Sequence, residues 1–180
     1  MNGVVSLLDP AATAQIHALW AEMQAAHGID AVARRVPWPH VSYHIAPRYD
    51  PITLEAGLRA LARETGPLDI QATGLGIFTG PTPVLYLAVT RSPALSALHA
   101  RAWAACNAAA EDPSPLYAPN VWVPHITLAH HDVTPANLPR LIADLGGRDF
   151  AWTIRLSAFT ALFKTDDVYQ PAFQAPFGAA

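Results

Sequence analysis

Pro39-His40-Val41-Ser42-Tyr43 is the stretch that decides the fold of this chain, because Pro124-His125-Ile126-Thr127-Leu128 repeats its pattern. Each copy contains a proline, a histidine, a β-branched apolar residue, a hydroxyl residue and a large apolar residue. Both copies lie in runs rich in β-branched and aromatic residues, which predicts two strands. Alternate side chains of a strand share a face, so each histidine should lie beside its hydroxyl residue, opposite the apolar side chains. Two such strands brought together would form a pocket with two imidazoles and two hydroxyls.

Four dipeptides divide the rest of the chain at regular intervals: Asp9-Pro10, Asp50-Pro51, Ser92-Pro93 and Thr134-Pro135. Each offers a helix N-cap followed by proline at the first helical position. They predict helices over about 10–26, 51–65, 93–110 and 135–145. Apolar runs predict strands over about 4–8, 40–46, 68–78, 84–90, 125–130, 150–163 and 168–173, with an irregular link over 28–39.

The order of these elements repeats with an offset of 83 residues. Each half contains a strand, a helix, a motif strand, a second helix and a long strand, which indicates internal duplication. We therefore predict an α+β fold: a bilobal duplicated structure with two antiparallel-rich sheets, flanked by helices around a central cleft. We expect one domain, residues 1–180, with pseudo-symmetric lobes over about 1–83 and 84–180.

The bulk composition limits the possible partners. The chain has 180 residues, 52% of them hydrophobic, and a formal net charge of −3, which argues against a broad electrostatic grip on long nucleic acid. Arginine supplies ten of the eleven basic residues and suits bidentate phosphate contacts. The one cysteine, Cys106, fits a reducing compartment. We find neither a signal-peptide pattern nor a membrane-spanning run, so we expect a cytoplasmic protein.

The two motif histidines suit general acid–base chemistry, since one imidazole can donate a proton while the other accepts one. A hydroxyl two residues after each histidine can hydrogen-bond an oxyanion. In-line attack on a cyclic phosphodiester needs a base and an acid on opposite sides of the phosphorus. Histidines from two facing lobes would supply both groups.

The paired histidine–x–hydroxyl motifs in a duplicated chain of this size resemble the 2H phosphoesterase superfamily, and within it the bacterial 2′,5′ RNA ligase-like branch. The resemblance implies metal-independent hydrolysis of 2′,3′-cyclic phosphates or 2′-linked phosphodiesters, with 2′,5′ RNA joining in some members. It implies that His40 and His125 are the catalytic pair and that Ser42 and Thr127 contact the phosphate. Ser42 stands where threonine is commoner and keeps the hydroxyl.

The resemblance further implies no cofactor and no metal. The expected partner is a small nucleotide or a short RNA end, and the low basic content favours the smaller one. We expect no DNA partner, no membrane partner and a monomer. Two alternatives remain: a nucleotide- or RNA-binding relative without turnover, and a metal-dependent phosphodiesterase.

Several other residues have two interpretations. His44 should share the face of His40, at the rim of the cleft or on the surface. Trp38 and Trp122 precede the motifs and suit either base stacking or, more naturally, packing. Arg48 suits a phosphate contact or a solvated loop. We expect His130 and His131 to point to opposite faces, which argues against a zinc site.

The remaining features have structural interpretations or untested ones. Gly74-x-Gly76 lies inside a predicted strand and is not a phosphate loop, because no cap and helix follow it. Cys106 is expected to be a buried apolar residue. The loop 111–124 lies beside the second motif, and the sequence leaves open the hypothesis that it moves as a lid.

Overall fold

Two four-stranded antiparallel sheets contain most of the β structure in residues 1–178, the part of the chain that the computed structural model describes. The strands are numbered in chain order as β1 (Asn2–Leu7), β2 (His40–Ala46), β3 (Arg48–Tyr49), β4 (Leu68–Phe78), β5 (Val84–Val89), β6 (Ala110–Glu111), β7 (His125–Ala129), β8 (Thr153–Leu156), β9 (Ala158–Thr165) and β10 (Val168–Pro176). The first sheet has the order β10-β9-β1-β2 and the second β7-β5-β4-β8, while β3 and β6 form a separate pair. The prediction of an α+β fold with antiparallel sheets is confirmed.

Five helices cover the sheets in this part of the chain, namely α1 (Pro10–His27), α2 (Ala31–Arg35), α3 (Pro51–Arg63), α4 (Pro93–Asn107) and α5 (Leu138–Leu145), and a 3-10 turn spans Pro115–Tyr117. The predicted caps begin three of them. The side chains of Asp9, Asp50 and Ser92 accept backbone N–H bonds from three residues onward, at 2.9, 2.8 and 3.1 Å. The fourth predicted cap also forms its bonds: Thr134 Oγ1 accepts the Asn137 N–H at 3.3 Å, and the Thr134 carbonyl accepts the Leu138 N–H at 3.0 Å. The predicted helix start at Pro135 is wrong, because residues 135–137 form a turn and α5 begins at Leu138.

Each sheet takes strands from both halves of the chain. The strand β4, which ends the first half, pairs with β5 of the second half. The strands β9 and β10, at the end of the chain, extend the sheet that begins with β1. The predicted lobe boundary at residue 83 therefore does not separate the two sheets, because the long strand of each half joins the sheet of the other.

Two further predictions needed correction. The single long strand over 150–163 is divided at Ser157, because β8 pairs with β4 in the second sheet and β9 pairs with β1 in the first. The link 28–39 contains the helix α2. Asp132 Oδ2 accepts the N–H groups of Asp30 and Ala31 at 2.8 and 2.7 Å, which ties this helix to the end of β7.

One continuous buried apolar cluster lies between the sheets and the helices. The helices also support strands of the opposite half. Trp20 in α1 donates its Nε1–H to the Leu128 carbonyl of β7 at 2.9 Å. His99 in α4 donates its Nε2–H to the Tyr43 carbonyl of β2 at 3.1 Å. No helix within residues 1–178 has the length and apolar content needed to cross a membrane.

Candidate active site

The two motif strands are the edges at which the sheets meet. β2 ends the first sheet, β7 ends the second, and the two strands pack against each other. A cavity of about 560 Å³ opens there. The structure brings all four predicted site residues, His40, Ser42, His125 and Thr127, to its wall.

The two histidines are held in the same way. The Nδ1–H of His40 donates to the Trp38 carbonyl at 2.5 Å, and that of His125 donates to the Val123 carbonyl at 2.8 Å. A carbonyl can only accept, so the neutral ring carries its proton on Nδ1 in both cases. Each ring therefore keeps the lone pair of Nε2 for the cavity, where it can take a proton.

Burial favours the neutral form of both rings. It lowers the pKa of His40 to about 4, although the Trp38 carbonyl opposes the shift, and a positive charge on His125 would lower the pKa further. Burial also lowers the pKa of His125, against the effect of the Val123 carbonyl. An anion bound between the rings would reverse these shifts, because it stabilises the imidazolium form.

The two hydroxyl residues differ in exposure. Ser42 is buried, and Tyr117 lies beside it on the same cavity wall. Burial raises the pKa of the Tyr117 phenol, against the lowering effect of the Ser42 hydroxyl, so this phenol stays a neutral donor. Thr127 is half-buried at the equivalent place on β7. Three neutral hydroxyls thus accompany the two imidazoles on the cavity wall.

Both motif strands contain a β-bulge immediately after the hydroxyl residue. In the pairing of β1 with β2, Val5 lies opposite Ser42 and Val4 opposite His44, so Tyr43 is the extra residue. In the pairing of β5 with β7, Tyr86 lies opposite Thr127 and Leu85 opposite Ala129, so Leu128 is the extra residue. A bulge shifts the register by one residue and inverts the alternation of side chains beyond it.

This inversion corrects two predictions on β2. His44, expected on the face of His40, is fully buried, where its ring centroid lies 4.5 Å from that of Trp103 and its Nδ1 bonds the Tyr49 hydroxyl at 2.7 Å. Ile45, which strict alternation along β2 would place on the apolar face opposite His40, lines the cavity instead.

The equivalent inversion on β7 brings two further histidines to the cavity. His130 takes the place that Ile45 has on β2, and His131 follows with φ of 72° after the strand has ended. Their rings stack with centroids 3.8 Å apart at 24°. The prediction that they point to opposite faces is wrong, because strand alternation stops at Ala129. The β-bulge at Leu128 and the end of β7 at Ala129 place these side chains, and no sequence pattern predicts either feature.

The bulged backbone is held by side-chain donors. Trp122 donates its Nε1–H to the Ser42 carbonyl at 2.9 Å, beside the bond from His99 to the Tyr43 carbonyl. Trp122 is buried and stacks on His99, with ring centroids 3.8 Å apart, so its packing role is confirmed. The bond from Trp20 to Leu128 supports the second bulge in the same way. Nothing in the sequence around Trp20 predicts this contact.

The other candidates lie outside the cavity. Arg48 pairs with Glu111 at 2.5 Å on the surface. Trp38 donates to the Tyr169 carbonyl at 3.0 Å. Cys106 is buried, as expected. Within residues 1–178, no group of three or more histidine, cysteine or carboxylate side chains is arranged to hold a metal ion.

A second chamber of about 470 Å³ adjoins the first and shares five lining residues with it, among them His125, Thr127 and His130. Its wall is mainly apolar and includes Phe78, Val84 and Val121. The loop 111–124 supplies part of this wall. Arg91 anchors the loop by donating to the Trp122 carbonyl at 3.0 Å and to the Pro119 carbonyl, while Leu116 remains exposed.

Solved structures share this fold over almost their whole length. TT0787 of Thermus thermophilus matches 99% of this chain and 98% of its own, at 16% identity and a TM-score of 0.68. LigT of E. coli, solved with 3′-AMP, matches 98% of each chain at 18% identity and a TM-score of 0.58. Usb1 of Kluyveromyces marxianus, solved with uridine monophosphate, matches 98% of this chain and 97% of its own at 13% identity and a TM-score of 0.50. These likenesses confirm the fold of a 2H phosphoesterase.

The sequence itself identifies the family. The family model of the 2′-5′ RNA ligase superfamily matches residues 8–167, and the chain therefore belongs to that superfamily. The resemblance predicted from the two motifs is confirmed. No curated protein sequence matches the chain.

Proposed function

We propose that this protein is a metal-independent phosphoesterase that opens a 2′,3′-cyclic phosphate, or cleaves a 2′-linked phosphodiester, on a nucleotide or RNA end. The observation that carries the proposal is the matched pair of imidazoles, each anchored through Nδ1 and each presenting Nε2 to one cavity. Family membership supports phosphoesterase or ligase chemistry. The specific reaction and the roles of the residues are our inference.

In the proposed reaction, the Nε2 of one motif histidine takes a proton from water as the water oxygen bonds to phosphorus. The bond from phosphorus to one ribose oxygen breaks, and the Nε2–H of the other histidine protonates that oxygen. The product is a nucleoside 2′- or 3′-phosphomonoester. A 5′-hydroxyl in the place of water would instead give a 2′,5′-linked phosphodiester, which is the joining reaction that the resemblance implies.

The cavity supplies the charge stabilisation that this step requires. Ser42 and Thr127 would donate hydrogen bonds to the phosphoryl oxygens, and Tyr117 lies beside Ser42 to orient its hydroxyl. Since burial keeps both rings neutral in the empty site, the substrate anion would raise the pKa of one of them and so create the general acid.

The adjoining apolar chamber would accept the nucleobase. It shares His125 and Thr127 with the reactive cavity, so a ribose phosphate at the histidines would place its base beside Phe78 and Val84. LigT was solved with 3′-AMP and Usb1 with uridine monophosphate, which supports a small nucleotide as ligand here.

The test is hydrolysis of the four nucleoside 2′,3′-cyclic phosphates and of short RNAs with a cyclic end, with and without EDTA. We expect turnover that EDTA does not reduce. His40→Asn and His125→Asn should each lower kcat by about 10³-fold while changing nucleotide binding little. Binding without turnover in the wild-type protein would indicate a nucleotide-binding relative, and loss of turnover in EDTA would indicate a metal-dependent enzyme. Either result would overturn the proposal.

A further inference from the structure

The cavity has a second polar wall that the proposed reaction does not use. Arg35, at the end of α2, lines the same cavity as the motif histidines, together with His130 and His131. Within residues 1–178, the neighbouring Arg34 is paired with Asp30 at 2.8 Å, whereas the Arg35 guanidinium has no carboxylate partner. An unpaired guanidinium and two imidazoles thus face the ligand space.

The fold fixes this wall by three separate devices. The bulge in β7 turns His130 into the cavity, and the left-handed backbone of His131 stacks its ring on that of His130. Asp132, the next residue, accepts the N–H groups of Asp30 and Ala31 and so holds α2 beside the stacked rings. Arg35 lies at the far end of this short helix, on the cavity side.

The charges around the wall favour an anion. Arg35 is always cationic, and its positive charge contributes to the lowered pKa of His130, after burial and the charge of His131. Two carboxylates are close. Asp132 opposes this shift of His130 but does not line the cavity, and Asp167 lines it but pairs with Lys164 at 3.4 Å. A guanidinium with two imidazoles is a donor set suited to a phosphate dianion.

We propose that Arg35, His130 and His131 form a second phosphate site, which holds a terminal phosphomonoester of the substrate while the cyclic phosphate lies between His40 and His125. This inference rests on the proposed function and narrows its substrate class. The preferred substrate is a nucleoside 2′,3′-cyclic phosphate that also carries a 5′-phosphate. The ribose would lie between the two phosphates, with its base directed to the apolar chamber.

The kinetic test compares adenosine 2′,3′-cyclic phosphate with and without a 5′-phosphate, and a dinucleotide with the same cyclic end and no terminal phosphate. We expect the 5′-phosphate to raise kcat/KM by about tenfold or more, since charge-assisted hydrogen bonds are the strong ones. Arg35→Gln and His131→Asn should reduce this ratio to about one, and asparagine tolerates the left-handed backbone. Arg34→Gln, the matched control, should keep the wild-type ratio.

A ratio near one in the wild-type protein would overturn the inference, and so would a ratio that survives Arg35→Gln. If kcat/KM for the dinucleotide equals that for the cyclic nucleotide with a 5′-phosphate, Arg35, His130 and His131 bind an internal phosphodiester. That result would overturn the assignment of a site for a terminal phosphate.

A binding experiment tests the second phosphate site independently of the proposed reaction. Calorimetry with adenosine 2′-phosphate and adenosine 2′,5′-bisphosphate requires no turnover. We expect the bisphosphate to bind about tenfold tighter to the wild-type protein and to Arg34→Gln, and to lose this advantage in Arg35→Gln. If no cyclic phosphate is hydrolysed but the bisphosphate still binds tighter and loses this advantage in Arg35→Gln, the second phosphate site is supported and the proposed reaction is overturned. If cyclic phosphates are hydrolysed and adenosine 2′-phosphate binds as tightly as the bisphosphate, the proposed reaction is supported and the second phosphate site is overturned.

Discussion

Lowering the pH from 7.5 to 5 should destabilise the folded protein through two fully buried histidines, His44 and His99. Burial lowers the pKa of each to about 4 from an ordinary value of 6.5. Between pH 4 and pH 6.5, each imidazole is protonated in the unfolded chain and neutral in the folded one. The free energy of unfolding therefore decreases as the pH falls below 6.5. At pH 5 this amounts to about 2 kcal/mol for each ring, or about 4 kcal/mol for both.

Urea unfolding at pH 7.5 and pH 5 measures this loss, and variants assign it. His99→Gln can keep the hydrogen bond to the Tyr43 carbonyl but cannot titrate, so its loss between the two pH values should be about 2 kcal/mol smaller than that of the wild type. His44→Gln should behave likewise, and the double variant should combine both effects. If His99→Gln loses as much stability as the wild type over this interval, the assignment of a neutral buried imidazole is refuted.

Three further results are expected. In Gly76→Ala, the new Cβ would overlap the ring of Tyr86, which lies against His125 with ring centroids 5.3 Å apart. Turnover should therefore fall by about tenfold. The control Gly147→Ala, which has open space at its Cβ, should match the wild type. Trp20→Phe leaves the Leu128 carbonyl without its donor and should lower the free energy of unfolding by about 1–3 kcal/mol in urea; a change near zero would contradict that support. Because burial lowers the pKa of both motif histidines, kcat/KM should be highest below pH 6.5 and fall towards pH 8; a plateau up to pH 8 would argue against an imidazolium as the acid.

Local signals predicted most of the elements. The caps at Asp9, Asp50 and Ser92 act within three residues of themselves, so the sequence next to them was sufficient. The motif strand β2 and the long strand β4 have the predicted bounds. At Thr134 the cap was predicted correctly and the helix start was not. Thr134 Oγ1 accepts the Asn137 N–H at 3.3 Å, but Asn137 Oδ1 also accepts the Thr134 N–H at 2.7 Å, and this local turn delays the helix to Leu138.

The remaining features depend on which strands pair, and pairing is not a local property. The strand β4 pairs with β5 of the second half, and β9 pairs with β1 of the first half, so each strand joins the sheet of the other half. The bulges at Tyr43 and Leu128 follow from the register against β1 and β5, and nothing within the motifs announces them. Strand alternation therefore placed His40, Ser42, His125 and Thr127, which precede the bulges, together on the cavity wall, and misplaced His44, which follows one.

The most direct test of the central claim is a double-mutant comparison of His40→Asn, His125→Asn and the variant with both changes, by single-turnover hydrolysis of a nucleoside 2′,3′-cyclic phosphate. If the two imidazoles act as one acid–base unit, each single change should cost about 10³-fold, and the double change should cost little more than either alone. A double variant whose loss is the product of the two single losses would contradict joint action. A single variant within tenfold of the wild-type rate would contradict the assignment of that histidine.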